Sequence, residues 1–149
     1  MGNYIFGNLN DWGTVLDKLD KLSESRELGN CQDELIRLLR FDQNWRLREA
    51  AIEFLPFVEN PDLNLAREVI SLIKRKDLYY DVRILATDGL EKLTTNIVNN
   101  RAFDKDILKQ FVLAIIKDMD ALLASPEPPK FHDALRNSMN QIKKVEAAI

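Results

Sequence analysis

The sequence predicts an all-α chain of about seven helices stacked as antiparallel pairs, and three observations carry that expectation. The segment Asp42–Leu55, D-Q-N-W-R-L-R-E-A-A-I-E-F-L, returns in altered form 35 residues later as Asp77–Leu90, D-L-Y-Y-D-V-R-I-L-A-T-D-G-L. Apolar residues around both copies step by three and four, the spacing that lines one face of a helix. Gly29-Asn30, Asn60-Pro61 and the run Ser125-Pro126-Glu127-Pro128-Pro129 punctuate those stretches where helices must stop.

The two copies share Asp42 with Asp77, an aliphatic at Leu47 and Val82, Arg48 with Arg83, Ala51 with Ala86, and Leu55 with Leu90. An Asp at a turn and an Arg in the first turn of the following helix can satisfy backbone groups and each other where two helices join. Asp42, Arg48, Asp77 and Arg83 are therefore read as a structural lock, once per repeat, rather than as a catalytic set. The small Ala lets two helix backbones approach.

Taken in order, residues 1–10 read as an irregular arm. Asp11 is an N-cap, and Trp12, Val15, Leu16, Leu19 and Leu22 give an amphipathic helix over 11–28, stopped by Gly29-Asn30 and capping one end of the stack. The first repeat unit spans 31–58. Its first helix, Cys31 to Arg40, buries Leu35, Ile36, Leu38 and Leu39; its second starts near Asn44 and buries Leu47, Ala51, Phe54 and Leu55, with Pro56 forcing a kink or an early finish.

The second unit spans 62–94. Asn60-Pro61 reads as an N-cap followed by proline at the first helical position. Leu65, Val69, Leu72 and Ile73 form the buried stripe, and Lys74-Arg75-Lys76 compensates the helix dipole at the end. A phosphate-contacting patch is the alternative reading of that basic run. The partner helix runs from Tyr79 to about Thr94, and Gly89 inside it predicts close packing against a neighbour. Thr94 to Ala102 reads as a connecting loop. Residues 104–147 form a degenerate C-terminal pair: Asp104 caps the most apolar helix of the chain, expected to be buried on a broad face, and the proline linker breaks it. The last helix then uses Phe131, Leu135, Met139, Ile142 and Val145. Phe131 falls in the aliphatic slot and His132 in the Arg slot, so the lock is not repeated.

The Asp, four residues, aliphatic and Arg pattern, followed by a small residue, resembles the second helix of a HEAT repeat over residues 31 to 95. The resemblance implies a short right-handed α-solenoid with a concave face lined by the second helices. The 35-residue period is shorter than the roughly 40 to 47 of HEAT units and nearer the compact HEAT-like repeats of phycobilisome lyases. The tetratricopeptide signature W-x-x-L-G-x-x-Y is absent.

At 149 residues, with 46% apolar and 30% charged, the chain is expected to form one soluble domain. Its net charge of −3 disfavours nucleic acid. The start, M-G-N-Y-I-F, has no basic n-region and no long apolar run, so the expectation is a cytoplasmic protein without a membrane span; Phe6 stands where a myristoylation motif wants Ser or Thr. Lone Cys31 permits no internal disulfide or multi-cysteine metal site, and its spacing to Leu35 reads as core. His132 has no ligand-spaced partner. Phosphate loops, nucleophile elbows and zinc signatures are missing from the sequence. The reading is no catalytic residue, no metal and no cofactor.

What remains is a protein-interaction, scaffold or adaptor module. Residues pointing away from the buried side of the repeated helices are Arg46, Glu49 and Glu53 in the first copy and Asp81, Ile84 and Asp88 in the second, with Lys130, Asp133 and Asn137 in the degenerate third; Trp45 and Tyr80 complete the candidate partner-binding face. Acidic charge around an apolar Ile84 suits a basic, partly apolar peptide or protein segment. Trp45 and Tyr80, at one repeat position, are read either as packing between layers or as aromatic anchors. Two other functions follow from the resemblance alone: an accessory role like that of the chromophore lyases, and DNA binding like that of HEAT-like alkylpurine glycosylases. The latter needs a basic groove where Glu49, Glu53, Asp81 and Asp88 stand.

Overall fold

The three-to-four spacing of apolar residues buries seven α-helices against one another in the computed structural model, which describes residues 5–100 and 102–149. They are α1 (Trp12–Glu24), α2 (Gln32–Leu39), α3 (Trp45–Phe54), α4 (Leu63–Lys74), α5 (Tyr80–Asn100), α6 (Lys105–Leu123) and α7 (Pro129–Ala147), with no strand among the described residues. Successive helices pair as α2 with α3, α4 with α5 and α6 with α7. Odd-numbered helices also touch in the order α1, α3, α5, α7, and even-numbered ones in the order α2, α4, α6. Leu35, Leu39, Leu47, Leu55, Leu65 and Leu90 are among the buried side chains of one continuous core.

Several helix ends differ from the sequence reading. The capping helix stops at Glu24, not near Leu28, because Arg26 adopts a left-handed φ of 59°. The Arg26 N–H then donates to Ser23 O and the Glu27 N–H to Leu22 O, so orphan carbonyls are satisfied by a turn whose Cβ-bearing residue tolerates the strain. Gly29 serves another purpose: a Cβ there would run into the carbonyl of Glu59, so the 3-10 turn Leu28–Cys31 can press against the α3–α4 connection only because the side chain is missing.

Asn60-Pro61 does not begin α4. Asn60 takes φ 50°, Pro61 is buried, and the helix starts at Leu63 after the Asp62 N–H donates to Gln32 Oε1 at 2.7 Å. The loop expected over Thr94 to Ala102 is helix as far as Asn100. Leu90, Leu93 and Ile97 continue the buried stripe, and the Thr94 and Thr95 hydroxyls donate to the carbonyls one turn back, at Leu90 and Glu91, so these residues need no turn to be satisfied.

Other expectations hold. Asn44 Oδ1 accepts from the Arg46 N–H at 3.0 Å and caps α3, and Pro56 turns its end into the 3-10 segment Leu55–Phe57. Gly89 sits where a Cβ would meet Leu55 Cδ1 at 2.9 Å. The broad burial expected of α6 is only partial: Leu108, Phe111, Val112, Ile115 and Met119 face inward, whereas Ile107 and Leu113 are exposed.

Residues 1–4 of the expected arm lie outside the described residues, and residues 5–10 are seated on the core. Phe6 and Leu9 are buried, the Phe6 N–H donates to Glu34 Oε1 at 3.3 Å, and Arg37 and Lys18 donate to the carbonyls of Gly7 and Ile5. Two apolar anchors, three apart, pin residues 5–10 onto α1 and α2.

Candidate functional site

The repeated Arg residues act first on backbone. Arg48 Nε donates to Leu39 O at 3.1 Å, at the end of α2, and Arg83 Nε donates to Ile73 O at 2.7 Å, at the end of α4. Each supplies a donor to a carbonyl that its own helix leaves unpaired. In the degenerate third layer His132 Nε2 lies 3.0 Å from Ser125 O, just past the end of α6. The lock therefore recurs in α7 with imidazole in place of guanidinium, contrary to the sequence expectation.

The acidic half of the lock is not uniform. Asp42 pairs with Arg48 as expected, but Asp77 does not pair with Arg83. It takes the fork of Arg75 instead, Nε to Oδ1 at 3.0 Å and Nη2 to Oδ2 at 2.6 Å, and this fork holds its carboxyl below the usual range. Arg75 Nη1 also reaches Asp42 Oδ1 at 3.3 Å, so one cation ties the first turn to the second. Lys74, in the same basic run, pairs with Asp118 of α6 at 3.3 Å. The run is thus partly spent on inter-layer ion pairs, which linear spacing does not reveal.

Arg83 is 1% exposed, and its nearest carboxylate is Glu127, from the loop between α6 and α7, with Nη1 to Oε2 at 3.8 Å. Its guanidinium carbon lies 4.5 Å from the Phe131 ring centroid and 5.2 Å from that of Tyr80, so aromatic faces supply part of its surroundings. Nη2 is buried without a hydrogen-bond partner.

The predicted face on α3 and α5 assembles two groups of side chains. At one end Arg46 lies 5.2 Å from the Trp12 ring centroid and 5.4 Å from that of Trp45, which is 60% exposed. Trp45 is thus an exposed aromatic held by a cation, not a residue packed between layers; Trp12, which spacing marked only as core of α1, joins it. Beside this stack Glu49, Glu53 and Asp81 converge. Partial burial raises the Glu49 carboxyl first, and the charges of Glu53 and Asp81 raise it further. Asp81 has a loose, exposed partner in Lys130 at 3.7 Å, while Glu49, Glu53 and Asp88 have no ion pair among the described residues.

Ile84 and Tyr80 depart from the simple picture. Ile84 is half-buried and packs on the core, so it offers only part of its surface. Tyr80 is 39% exposed, its ring lies 5.6 Å from Phe131, and its hydroxyl donates to Glu127 Oε2 at 2.6 Å, a bond that raises its phenol. Asp133 and Asn137 are exposed on α7, Asp133 pairing with Arg136.

Cys31 is buried, its Sγ–H directed at Leu28 O at 3.3 Å, and burial pushes its thiol up to about 11. Among the described residues no group of three or more His, Cys, Asp or Glu is placed to hold a metal ion, and no helix is long and apolar enough to cross a membrane. A cavity of about 930 Å³ opens between the ends of α5 and α7 and the start of α6, away from the acidic face.

The chain matches no family model, no curated protein and no solved structure.

Proposed function

We propose that the chain is a short α-solenoid of the HEAT type that acts as a non-enzymatic interaction module, taking a basic, partly apolar protein segment across the α3–α5 face. The solenoid reading is supported by the two rows of helices and by an Arg or His at one position of α3, α5 and α7 that reaches back to the end of the preceding helix. The observation that carries the binding reading is the convergence of Glu49, Glu53 and Asp81, where partial burial first, and then the charges of Glu53 and Asp81, raise the Glu49 carboxyl. A cationic side chain placed there relieves that repulsion, and the exposed Trp45, Arg46 and Trp12 beside it are the residue types that anchor partners most strongly. The same carboxylates repel phosphate, which ranks DNA below protein.

The test uses a fluorescently labelled peptide of alternating lysine and leucine, with a glutamate-for-lysine counterpart, followed by anisotropy at low and moderate salt. The basic peptide binds, the acidic one does not, and Glu53→Lys with Asp88→Lys weakens binding by at least about tenfold with helicity unchanged. Equal binding of both peptides, or of parent and double variant, overturns the reading.

A further inference from the structure

Two residues of the α3–α5 face are not held by their own layer. Tyr80 and Asp81 open α5, yet their partners come from beyond α6: Glu127 accepts the Tyr80 hydroxyl at 2.6 Å, Phe131 stacks beside the Tyr80 ring, and Lys130 stands 3.7 Å from Asp81. Glu127 is half-buried as a residue, but its side chain is only 7% exposed, although it lies in a proline-rich connection of irregular backbone. A carboxylate gives up much hydration to sit there, and a carboxylate so placed needs a cation or donors to offset the loss. It has one of each, Tyr80 and Arg83.

Arg83 has the complementary problem. Its Nε is spent on Ile73 O, its Nη2 is buried without a partner, and among the described residues its one nearby anion is Glu127. The corresponding Arg48 is served from its own turn by Asp42, but Asp77 has turned to Arg75, so the second layer lacks that local counter-charge. His132 keeps the connection in register by contacting Ser125 O.

We propose that the loop 124–128 is a latch, with Glu127 as a positioning residue that closes over Arg83 and Tyr80 and thereby sets the geometry of the N-terminal part of the partner face. Closed, the latch fixes the Tyr80 ring beside Phe131 and neutralises Arg83. Open, it leaves a buried cation exposed to water and frees Tyr80 and Asp81 to move, while Trp45, Glu49 and Glu53 stay in place on α3. The α6–α7 pair is then coupled to the face without contacting a ligand. The coupling to binding rests on the interaction reading above; the latch itself does not.

Amide hydrogen exchange on the whole chain separates the two. Glu127→Gln keeps an oxygen that accepts the Tyr80 hydroxyl and removes the charge opposite Arg83, and Tyr80→Phe removes only the hydroxyl. In both, amides at the start of α5 and of α7 exchange at least about tenfold faster while those of α2 and α3 keep the parental rate. In Glu127→Gln the Tyr80 ring carbon resonance, assigned by its loss in Tyr80→Phe, also titrates at lower pH than in the parent. Uniform acceleration through all helices, or no change at the α5 and α7 starts in either variant, overturns the latch. Should Glu127→Gln not fold, Tyr80→Phe carries the same exchange test alone. If the exchange pattern appears but peptide affinity is identical in parent and variants, the latch stands and its coupling to binding is refuted.

Discussion

His132 Nε2 stands 3.0 Å from the carbonyl oxygen of Ser125, which gives α7 the same reach back to the preceding helix that Arg48 makes to Leu39 and Arg83 makes to Ile73. A carbonyl oxygen only accepts, so the hydrogen of the neutral imidazole is on Nε2. Long-range nitrogen–proton NMR at neutral pH reads this directly and is expected to show the Nε2–H tautomer. Replacing His132 by Ala removes one bond to a partly buried carbonyl and lowers unfolding stability by about 1 kcal/mol in urea titrations. A fully exchanging imidazole and an unchanged midpoint would show that the third layer carries no lock.

The two arginines are expected to differ in weight. Arg48 has a solvent-exposed partner in Asp42, whereas the side chains of Arg83 and Glu127 are both shielded from water. Arg48→Ala therefore destabilises by about 1 to 3 kcal/mol through a lost carbonyl bond and packing. Arg83→Ala also takes away the cation beside the Glu127 carboxylate, which keeps only the Tyr80 hydroxyl, and destabilises by about 3 to 5 kcal/mol. Chemical denaturation of both variants gives the order, and a larger loss for Arg48→Ala contradicts it.

Asp77 gives a signed pH dependence. The Arg75 fork lowers its folded pKa, so it contributes stability that is present above the unfolded value of about 3.9 and is lost as pH falls through the lower folded value. Asp77→Asn is expected to make the acid limb of the stability curve shallower below about pH 4 and to leave its alkaline side unchanged. Urea midpoints measured at neutral and acid pH, for parent and variant, check it.

Cys31 shows the opposite sign. Its thiol is raised to about 11, so its contribution is present below the unfolded value of about 8.5 and is lost as pH rises towards the folded one. At pH about 8 its thiolate fraction is lower than that of a free cysteine by roughly two orders of magnitude. Iodoacetamide should label it slowly in the native chain and at the ordinary rate in urea; fast native labelling contradicts its burial.

How much of this the sequence reveals depends on whether a contact is local. The helices of both repeats, the Asn44 cap, the Pro56 finish and the tight seat of Gly89 follow from spacing and backbone chemistry within one or two turns of chain. The asparagines and threonines from Thr94 on read as loop, yet Leu90, Leu93 and Ile97 carry the helical stripe and the threonines bond back into it, so α5 runs on. The roles of Arg75, Glu127 and Trp12 are hidden in the sequence for a different reason. Glu127 and Trp12 take their roles from Arg83 and Arg46 on other helices, and Arg75 adds a contact to Asp42 to its fork on Asp77; no spacing rule within a helix says which acid a cation will choose across a turn. Helical phase puts Glu49 and Glu53 one turn apart on α3, whereas the approach of Asp81 depends on how α3 and α5 align.

Reception of a basic segment by the α3–α5 face is read most directly by titrating the isotope-labelled chain with the lysine–leucine peptide and following its amides by NMR. Shift changes should concentrate on Trp45–Glu53 and Tyr80–Asp88, and should vanish from that face in the Glu53→Lys, Asp88→Lys double variant. Shifts that cluster instead on α2, α4 and α6, or that persist in the double variant, would contradict it.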